Sequence, residues 1–187
     1  MTMKTLIFTA HPAGGFTEKI AKQYLGTKQT QDINAEIINL YDAEWKLDYL
    51  TFSETPENSV VKKIQQKISE ADELVFVFPL WWGEAPAIMK NMIDNVFASG
   101  FAFEFEKGKS IPKKLLSEKT AKVFITCDAP KIYYWLKGSP FKTTWKDFIL
   151  GFCGVKTTSF ELFAGMRGRN EDSRKAILET ITKIALK

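Results

Sequence analysis

The sequence predicts an α/β fold, a doubly wound parallel sheet of five strands with helices on both faces. Five short apolar runs, at residues 5–9, 35–40, 74–78, 120–126 and 157–162, alternate with segments whose apolar residues recur at helical spacing. The third run is apolar throughout, which is typical of a strand buried on both faces of a parallel sheet. Because no flexible linker or internal repeat divides the 187 residues, we expect a single domain over residues 1–187.

The first strand runs into a loop that contains Gly14 and Gly15. Apolar residues at helical spacing follow Thr17, which we predict to be the N-cap of an amphipathic helix. A strand, a glycine-containing loop and a helix N-terminus together form the layout that binds phosphate, because free amides and the helix dipole favour an anion there. The loop matches neither a Walker motif nor GxGxxG, so an ordinary βα turn is the alternative interpretation.

The second strand, residues 35–40, comes at the spacing expected of a βαβ unit. A connection with few periodic residues leads to a predicted helix over residues 59–71. Val60, Ile64 and Ile68 share one face of that helix and lysines occupy the other, so the apolar face is predicted to pack on the sheet.

The third strand ends at Pro79 and is followed by a turn, Leu80-Trp81-Trp82-Gly83-Glu84, and by a helix that begins at Pro86. In open α/β sheets this carboxyl edge is where ligands bind. Two flat indole rings beside turn amides can contact a planar cofactor. The alternative is that both tryptophans only cover the core.

The fourth strand, residues 120–126, is preceded by a polar segment predicted to lie outside the sheet and followed by three aromatic residues at 133–135. A helix ending near Gly151 or Gly154, the fifth strand and a last helix from about Ser173 complete the chain. Arg167 and Arg169, after the fifth strand, would meet a nucleotide phosphate or a partner subunit, or else lie in solvent.

Composition excludes several classes of function. A net charge of +4 is too small to indicate nucleic-acid binding, and no segment has the apolar length needed to span a membrane. With a single histidine, His11, and two cysteines far apart, no metal site is predicted. Cys127 and Cys153 are interpreted as reduced thiols, which indicates a cytoplasmic protein.

Four ordered blocks resemble the flavodoxin-like NAD(P)H:quinone oxidoreductases. They are PLWW at residues 79–82, PAIMK at 86–90, IDNVF at 93–97 and GFAF at 100–103. Two positions depart from the family pattern, since Asn91 replaces a glycine and Asn95 an arginine. The resemblance extends from His11 to the last helix and implies the flavodoxin-like strand order 2-1-3-4-5.

The resemblance also implies a flavin site. Thr17 would bind the flavin phosphate with its hydroxyl and amide, and the amides of Trp82 and Gly83 would bond N5 and O4 of the ring. Gly15 stands where the family has a serine, so one phosphate hydrogen bond is lost there. The implied cofactor-binding residues are His11, Gly15, Phe16, Thr17, Pro79, Leu80, Trp81, Trp82, Gly83, Thr126, Cys127 and Asp128.

Tyr134 is the implied catalytic residue. The family has T-T-G-G after its fourth strand, followed by a tyrosine, a glycine and, in some members, a histidine. In those members the tyrosine and the histidine stabilise charge on the flavin. Here residues 127–129 read Cys-Asp-Ala and no histidine follows, so only the Tyr134 hydroxyl would serve, as a hydrogen-bond donor.

The resemblance therefore implies a flavin-dependent NAD(P)H oxidoreductase that reduces quinones or nitro- or azo-aromatic compounds, with the protein supplying position and electrostatics. FMN is preferred over FAD because the chain is short and no adenine-binding segment is evident. A homodimer with its site at the subunit interface is implied. Two alternatives stay open, a regulatory flavoprotein subunit of a potassium-efflux transporter and an electron carrier.

Overall fold

The computed structural model describes residues 3–12, 15–50 and 58–187, so Gly14 lies outside the described residues. The main sheet is parallel and has the order β2-β1-β3-β6-β7, which confirms the predicted flavodoxin-like order. Its strands are β1 (Lys4–Thr9), β2 (Asn34–Asn39), β3 (Glu73–Pro79), β6 (Thr120–Thr126) and β7 (Lys156–Phe163). The polar segment before β6 forms a separate two-stranded ladder of β4 (Phe103–Glu104) and β5 (Lys113–Lys114).

Helices cover both faces of the main sheet. They are α1 (Phe16–Gln29), α2 (Ser59–Glu70), α3 (Ala87–Val96), α4 (Lys131–Leu136), α5 (Pro140–Thr143), α6 (Gly151–Cys153) and α7 (Glu171–Ala185). A π-helical segment, Thr144–Leu150, joins α5 to α6, and two 3₁₀ turns lie at Ala43–Trp45 and Met166–Gly168. Among the described residues, no helix combines the length and the apolar character that crossing a bilayer requires.

Strand β3 is the centre of the fold because all of its residues are buried and it pairs with β1 and β6. Successive side chains of a strand point to opposite faces of the sheet. Phe76 and Phe78 accordingly join the core under α2, α3 and the π-helical segment. Val75 and Val77 join the core under α1 and α7. An uninterrupted apolar run is what this two-sided burial requires.

The predicted N-cap of α1 is wrong. The helix begins at Phe16, Gly15 is its N-cap, and no side chain of the cap accepts a hydrogen bond from the first turn. Thr17 lies inside the helix and is buried, and its Oγ1 atom is 2.9 Å from Oγ1 of Thr126. The threonine therefore ties the start of α1 to the end of β6, a tertiary contact that outweighs its local capping preference.

The π-helical segment brings Trp145 into the core against β3. The Trp145 ring is fully buried, and its centroid lies 5.3 Å from that of Phe76 and 4.6 Å from that of Phe78. Gly151 follows the segment, where a Cβ atom would lie 2.7 Å from the carbonyl oxygen of Lys146. Only glycine fits this close approach without a shift of the backbone.

A buried charge cluster lies at the amino-terminal edge of the sheet, opposite the ligand-binding edge. Both carboxylate oxygens of Glu73 are paired, one with Lys122 Nζ at 3.0 Å and the other with Lys28 Nζ at 3.6 Å. The Tyr24 hydroxyl donates to Glu73 at 2.8 Å. Burial lowers the pKa of Lys28, although the Glu73 carboxylate opposes this effect. Burial and the same carboxylate raise the pKa of Tyr24.

Candidate active site

A cavity of about 520 Å³ opens at the carboxyl edge of the sheet, where the loops after β1, β3 and β6 meet. Most of the predicted site residues line it: His11, Phe16, Thr17, Pro79, Leu80, Trp81, Thr126, Cys127, Asp128 and Tyr134. Gly15, Trp82 and Gly83 are not part of the wall. Gly15 and Trp82 are adjacent in sequence to the wall residues Phe16 and Trp81, and Gly83 lies one residue further on. The structure thus brings the predicted residues together, while their roles stay predictions.

The N-terminus of α1 forms one end of the cavity. Its cap, Gly15, has an extended backbone, and the first-turn amides of a helix have no partners within the helix. The imidazole of His11 lies directly over Gly15, because a Cβ atom built there would be 2.1 Å from Cε1 of the ring. The histidine ring therefore occupies the space that a serine side chain would need.

A tight turn forms the opposite end. Trp81 and Glu84 exchange two backbone hydrogen bonds, of 2.9 and 3.0 Å, and the two residues between them have positive φ, +54° at Trp82 and +84° at Gly83. This is the geometry of a type I′ turn, which glycine adopts freely and which strains a bulky residue such as tryptophan. The amides of Trp82 and Gly83 take no part in closing the turn.

The two indole rings of the turn differ in their surroundings. Trp81 is 44% exposed and lines the cavity, whereas the Trp82 side chain is fully exposed. The alternative that both tryptophans only cover the core does not hold for Trp82. Trp81 and Trp82 together expose adjoining apolar surface beside the cavity, and a contiguous exposed apolar patch is typical of a binding surface.

The loop after β6 is held rigidly against the start of the loop after β7. Cys127 donates its amide to the Phe163 carbonyl and accepts from the Met166 amide, both at 3.0 Å. One Asp128 carboxylate oxygen accepts the Arg167 amide at 2.9 Å, and the other lies 3.7 Å from Nε of the same arginine. The backbone of this edge is therefore preorganised.

Tyr134 and Cys127 are neighbours in the wall of the cavity, and the Cys127 thiol donates to the Ala129 carbonyl oxygen at 3.5 Å. Burial is the main cause that raises the pKa of Tyr134, and the neighbouring Cys127 adds to it. Burial also raises the pKa of Cys127, against the lowering effect of the neighbouring Tyr134 hydroxyl. Both groups consequently stay protonated near neutral pH, and the phenol is available as a donor rather than as a base.

Three cavity residues, Ala129, Met166 and Arg174, are not among the site residues predicted from the sequence, and for Arg167 the sequence left the choice between a ligand and solvent open. The Arg174 guanidinium lies 5.4 Å above the Phe16 ring and donates to the carbonyl oxygens of Met166 and Arg169. It adds positive charge near the N-terminus of α1. No local pattern marks this arginine, because its position depends on the packing of α7 against α1.

The family model of the flavodoxin-like fold matches residues 3–185. The chain belongs to this family. Among the curated relatives of this flavodoxin-like chain is a Haemophilus influenzae protein described as an uncharacterized NAD(P)H oxidoreductase. The two are 30% identical over 186 residues, which cover 95% of this chain and 91% of that protein. The resemblance drawn from the sequence blocks is confirmed at the level of the family.

A second relative is the mouse ribosyldihydronicotinamide dehydrogenase [quinone], 31% identical over 122 residues. The match covers 61% of this chain and 51% of the mouse enzyme, so the chain spans about half the length of that relative.

Two solved structures share the fold over nearly their whole length. The NAD(P)H:quinone oxidoreductase of Methanothermobacter marburgensis superposes with a TM-score of 0.86 at 21% identity, covering 99% of this chain and 98% of that one. An FMN-dependent NADH-azoreductase of Bacillus anthracis, in complex with FMN, gives a TM-score of 0.74 at 17% identity, with 98% of each chain covered. At these identities the likeness shows the fold.

Proposed function

We propose that this protein is an NAD(P)H dehydrogenase (quinone)-like flavin oxidoreductase, which passes hydride equivalents from a nicotinamide through a bound flavin to an aromatic acceptor. The observation that carries the proposal is one continuous cavity that joins the N-terminus of α1 to the Trp81–Glu84 turn. One end suits a phosphate and the other a flat ring. The relatives named as oxidoreductases support the same activity.

The residues present fit a flavin. At the phosphate end, the free amides of the first turn of α1 and its dipole favour an anion, and Arg174 adds a positive charge. At the ring end, Leu80 and Trp81 offer apolar surface, and the amides of Trp82 and Gly83 would donate to the polar edge of the ring. When bound, flavin supplies the hydride chemistry, and the protein supplies its position.

We prefer FMN to FAD as the cofactor. The cavity of about 520 Å³ is within the usual range for a small-molecule site, and Arg174 of α7 lines it beside Phe16 at the phosphate end. The FMN complex of the azoreductase with the same fold supports this preference. In this proposal His11, Gly15, Phe16 and Thr17 surround the phosphate, while Thr126, Cys127 and Asp128 border the ring.

Tyr134 is the proposed catalytic residue. Its side chain lines the cavity beside Cys127, and the hydroxyl keeps its proton because its pKa is raised. A neutral phenol can stabilise negative charge on the reduced ring by donating a hydrogen bond. It does so without a histidine partner.

A second copy of the chain is proposed to complete the site. Beside the cavity lies an apolar groove of about 450 Å³ that shares Trp81 with it. Trp82, Tyr49 and Leu50 are largely exposed along the same side. A homodimer that covers this side would bury these rings and enclose the flavin, which agrees with the arrangement implied by the resemblance.

Acceptor choice is proposed to be loose, covering quinones and nitro- or azo-aromatic compounds, because Gly83 adds no side chain at the ring end of the site. One domain over residues 1–187 and a cytoplasmic location also stay predictions. The regulatory alternative, a subunit of a potassium-efflux transporter, receives no support from the relatives.

The test is to purify the protein, identify any released flavin by chromatography, and titrate flavin-depleted protein with FMN and FAD. NADH and NADPH are then added anaerobically, followed by a quinone and by an azo compound. We expect FMN to bind, to be bleached by a reduced nicotinamide without another protein, and to be reoxidised by the acceptors. Protein that binds no flavin would contradict the proposal, and bound flavin reduced only by a partner reductase would favour the electron carrier.

A further inference from the structure

The side chain of Glu84 connects the proposed flavin turn to the core. Glu84 closes the turn with its backbone, and its Oε1 atom accepts two hydrogen bonds, from the Ala85 amide at 2.8 Å and from the Trp145 indole Nε1–H at 2.9 Å. Trp145 itself is fully buried on the π-helical segment, between the Phe76 and Phe78 rings. The packing of the core therefore holds the indole N–H donor in place.

We propose that Glu84 is a positioning residue, which fixes the Trp82–Gly83 turn to the core through Trp145 and so aims the turn amides at the flavin ring. The proposal rests on the proposed flavin function. Glu84 is one of the two residues whose backbones close the turn, so a displacement of its side chain moves the turn as a whole.

The turn needs such a connection for two reasons. The Trp82 side chain is fully exposed, so its own packing does not hold the turn in place. The left-handed backbone of Trp82 is strained, and strained conformations persist only where the surroundings determine them. Donors that stabilise developing charge are most effective when their positions are set in advance.

One carboxylate oxygen receives both bonds, and this fact makes the proposal testable by conservative substitution. The amide oxygen of glutamine has two lone pairs and can accept both bonds, whereas alanine can accept neither. The variants are therefore Glu84→Gln, Glu84→Ala and Trp145→Phe, which removes the indole donor but keeps an aromatic ring in the core. Glu106→Ala, which truncates an exposed glutamate that pairs with Lys109, is the matched control.

The first measurement is the Kd for FMN, from quenching of flavin fluorescence. Glu84→Ala is expected to raise the Kd about tenfold, equivalent to about 1.4 kcal/mol. Glu84→Gln and Glu106→Ala are expected to stay within about twofold of the wild type, on that same scale. Trp145→Phe is also expected to raise the Kd for FMN. The double variant Glu84→Ala with Trp145→Phe should have a Kd no higher than that of the single variant with the higher Kd, because both substitutions remove the same contact.

The second measurement uses the protein without flavin. The exchange rate of the Trp145 indole N–H is followed by NMR in the wild type, in Glu84→Gln and in Glu84→Ala. We expect faster exchange only in Glu84→Ala, because there the donor loses its acceptor. If Glu84→Ala does not fold, the Kd for FMN of Trp145→Phe and Glu84→Gln tests the proposal, with a raised Kd expected in the first variant and a nearly unchanged Kd in the second.

Several results would overturn the proposal. One is a normal FMN Kd in Glu84→Ala or Trp145→Phe together with lowered thermal stability, which would make the contact merely structural. Another is a Glu84→Gln variant as weak as Glu84→Ala, and a third is unchanged indole exchange. If the wild type binds no flavin, the proposed function fails, whereas the exchange measurement still tests the connection itself.

Discussion

Replacing Trp82 with glycine is expected to separate the stability of this protein from its affinity for flavin. Trp82 has a left-handed backbone with φ of +54°, and its side chain is fully exposed, so removing the ring costs no core packing. The left-handed conformation costs a residue with a Cβ atom about 1–2 kcal/mol, whereas glycine adopts it freely. Glycine also increases the entropy of the unfolded chain, which lowers the free energy of unfolding by about 0.5–1 kcal/mol and offsets part of the relief of strain.

The net gain is therefore about 0.5–1 kcal/mol in the free energy of unfolding of the flavin-free protein, which corresponds to a rise in Tm of about 1–4 °C for a chain of this size. Trp82→Ala is the matched control, because it removes the same ring but keeps the backbone strain. Its Tm is expected to stay within about 1 °C of the wild type. Differential scanning calorimetry of flavin-free protein, at a concentration at which the protein is monomeric, measures both changes without the proposed dimer contact of Trp82.

Flavin affinity is expected to change in the opposite direction. Both variants lose the indole surface beside the proposed ring site, and a base-sized ring stacked on an aromatic side chain is stabilised by about 1–3 kcal/mol. The Kd for FMN should rise by about one order of magnitude in each. A Tm that falls by several degrees in Trp82→Gly would refute the strain argument, and an unchanged Kd in both variants would refute the position of the flavin.

Three further predictions follow from other parts of the structure. Gly15→Ala should raise the Kd for FMN while the circular dichroism spectrum stays that of the wild type. The new Cβ atom would lie 2.1 Å from Cε1 of His11 and would displace the imidazole over the phosphate end of the cavity. An unchanged Kd would contradict this geometry. The pKa of Lys28 is lowered in the folded protein from its ordinary value of 10.5, so between these two pKa values the unfolded chain binds more protons than the folded one. The free energy of unfolding of flavin-free protein should therefore increase as pH rises through this interval. Urea denaturation measures the increase, which should be smaller in Lys28→Met. Tyr134→Phe should slow flavin reduction by NADH roughly tenfold, measured by stopped-flow absorbance, while the Kd for FMN changes little. The expected effect on the rate is smaller than the ~10²-fold effect of a deeply buried donor because this tyrosine is partly exposed. Equal reduction rates would remove Tyr134 from the mechanism.

Much of the fold could be predicted because the local sequence of β3 indicates that the strand is buried. Its uninterrupted apolar run requires burial on both faces, and the alternation of strands with helices predicts a parallel sheet, whereas the strand order was implied by the resemblance to the family. The Trp81–Glu84 turn was likewise predicted as a ligand-binding loop, since prolines and glycine interrupt the pattern at the carboxyl edge. The functional part of that inference depended on the resemblance to a family, and composition alone left the two tryptophans ambiguous.

Other features could not be predicted because they depend on contacts between distant segments. The residue type of Thr17 predicts an N-cap, but its hydroxyl is hydrogen-bonded to the Thr126 hydroxyl at the end of β6. Arg174 reaches the cavity only through the packing of α7 on α1. The hydrogen bond between Glu84 and Trp145 requires a π-helical segment, which apolar periodicity does not reveal.

The most direct test of the account is a crystal structure of the protein with FMN bound. We expect the phosphate within hydrogen-bond distance of the Phe16 and Thr17 amides, and the ring against Trp81 with its polar edge facing the Trp82 and Gly83 amides. A flavin bound outside this cavity, or one whose phosphate lies at the Trp81–Glu84 turn, would contradict the account.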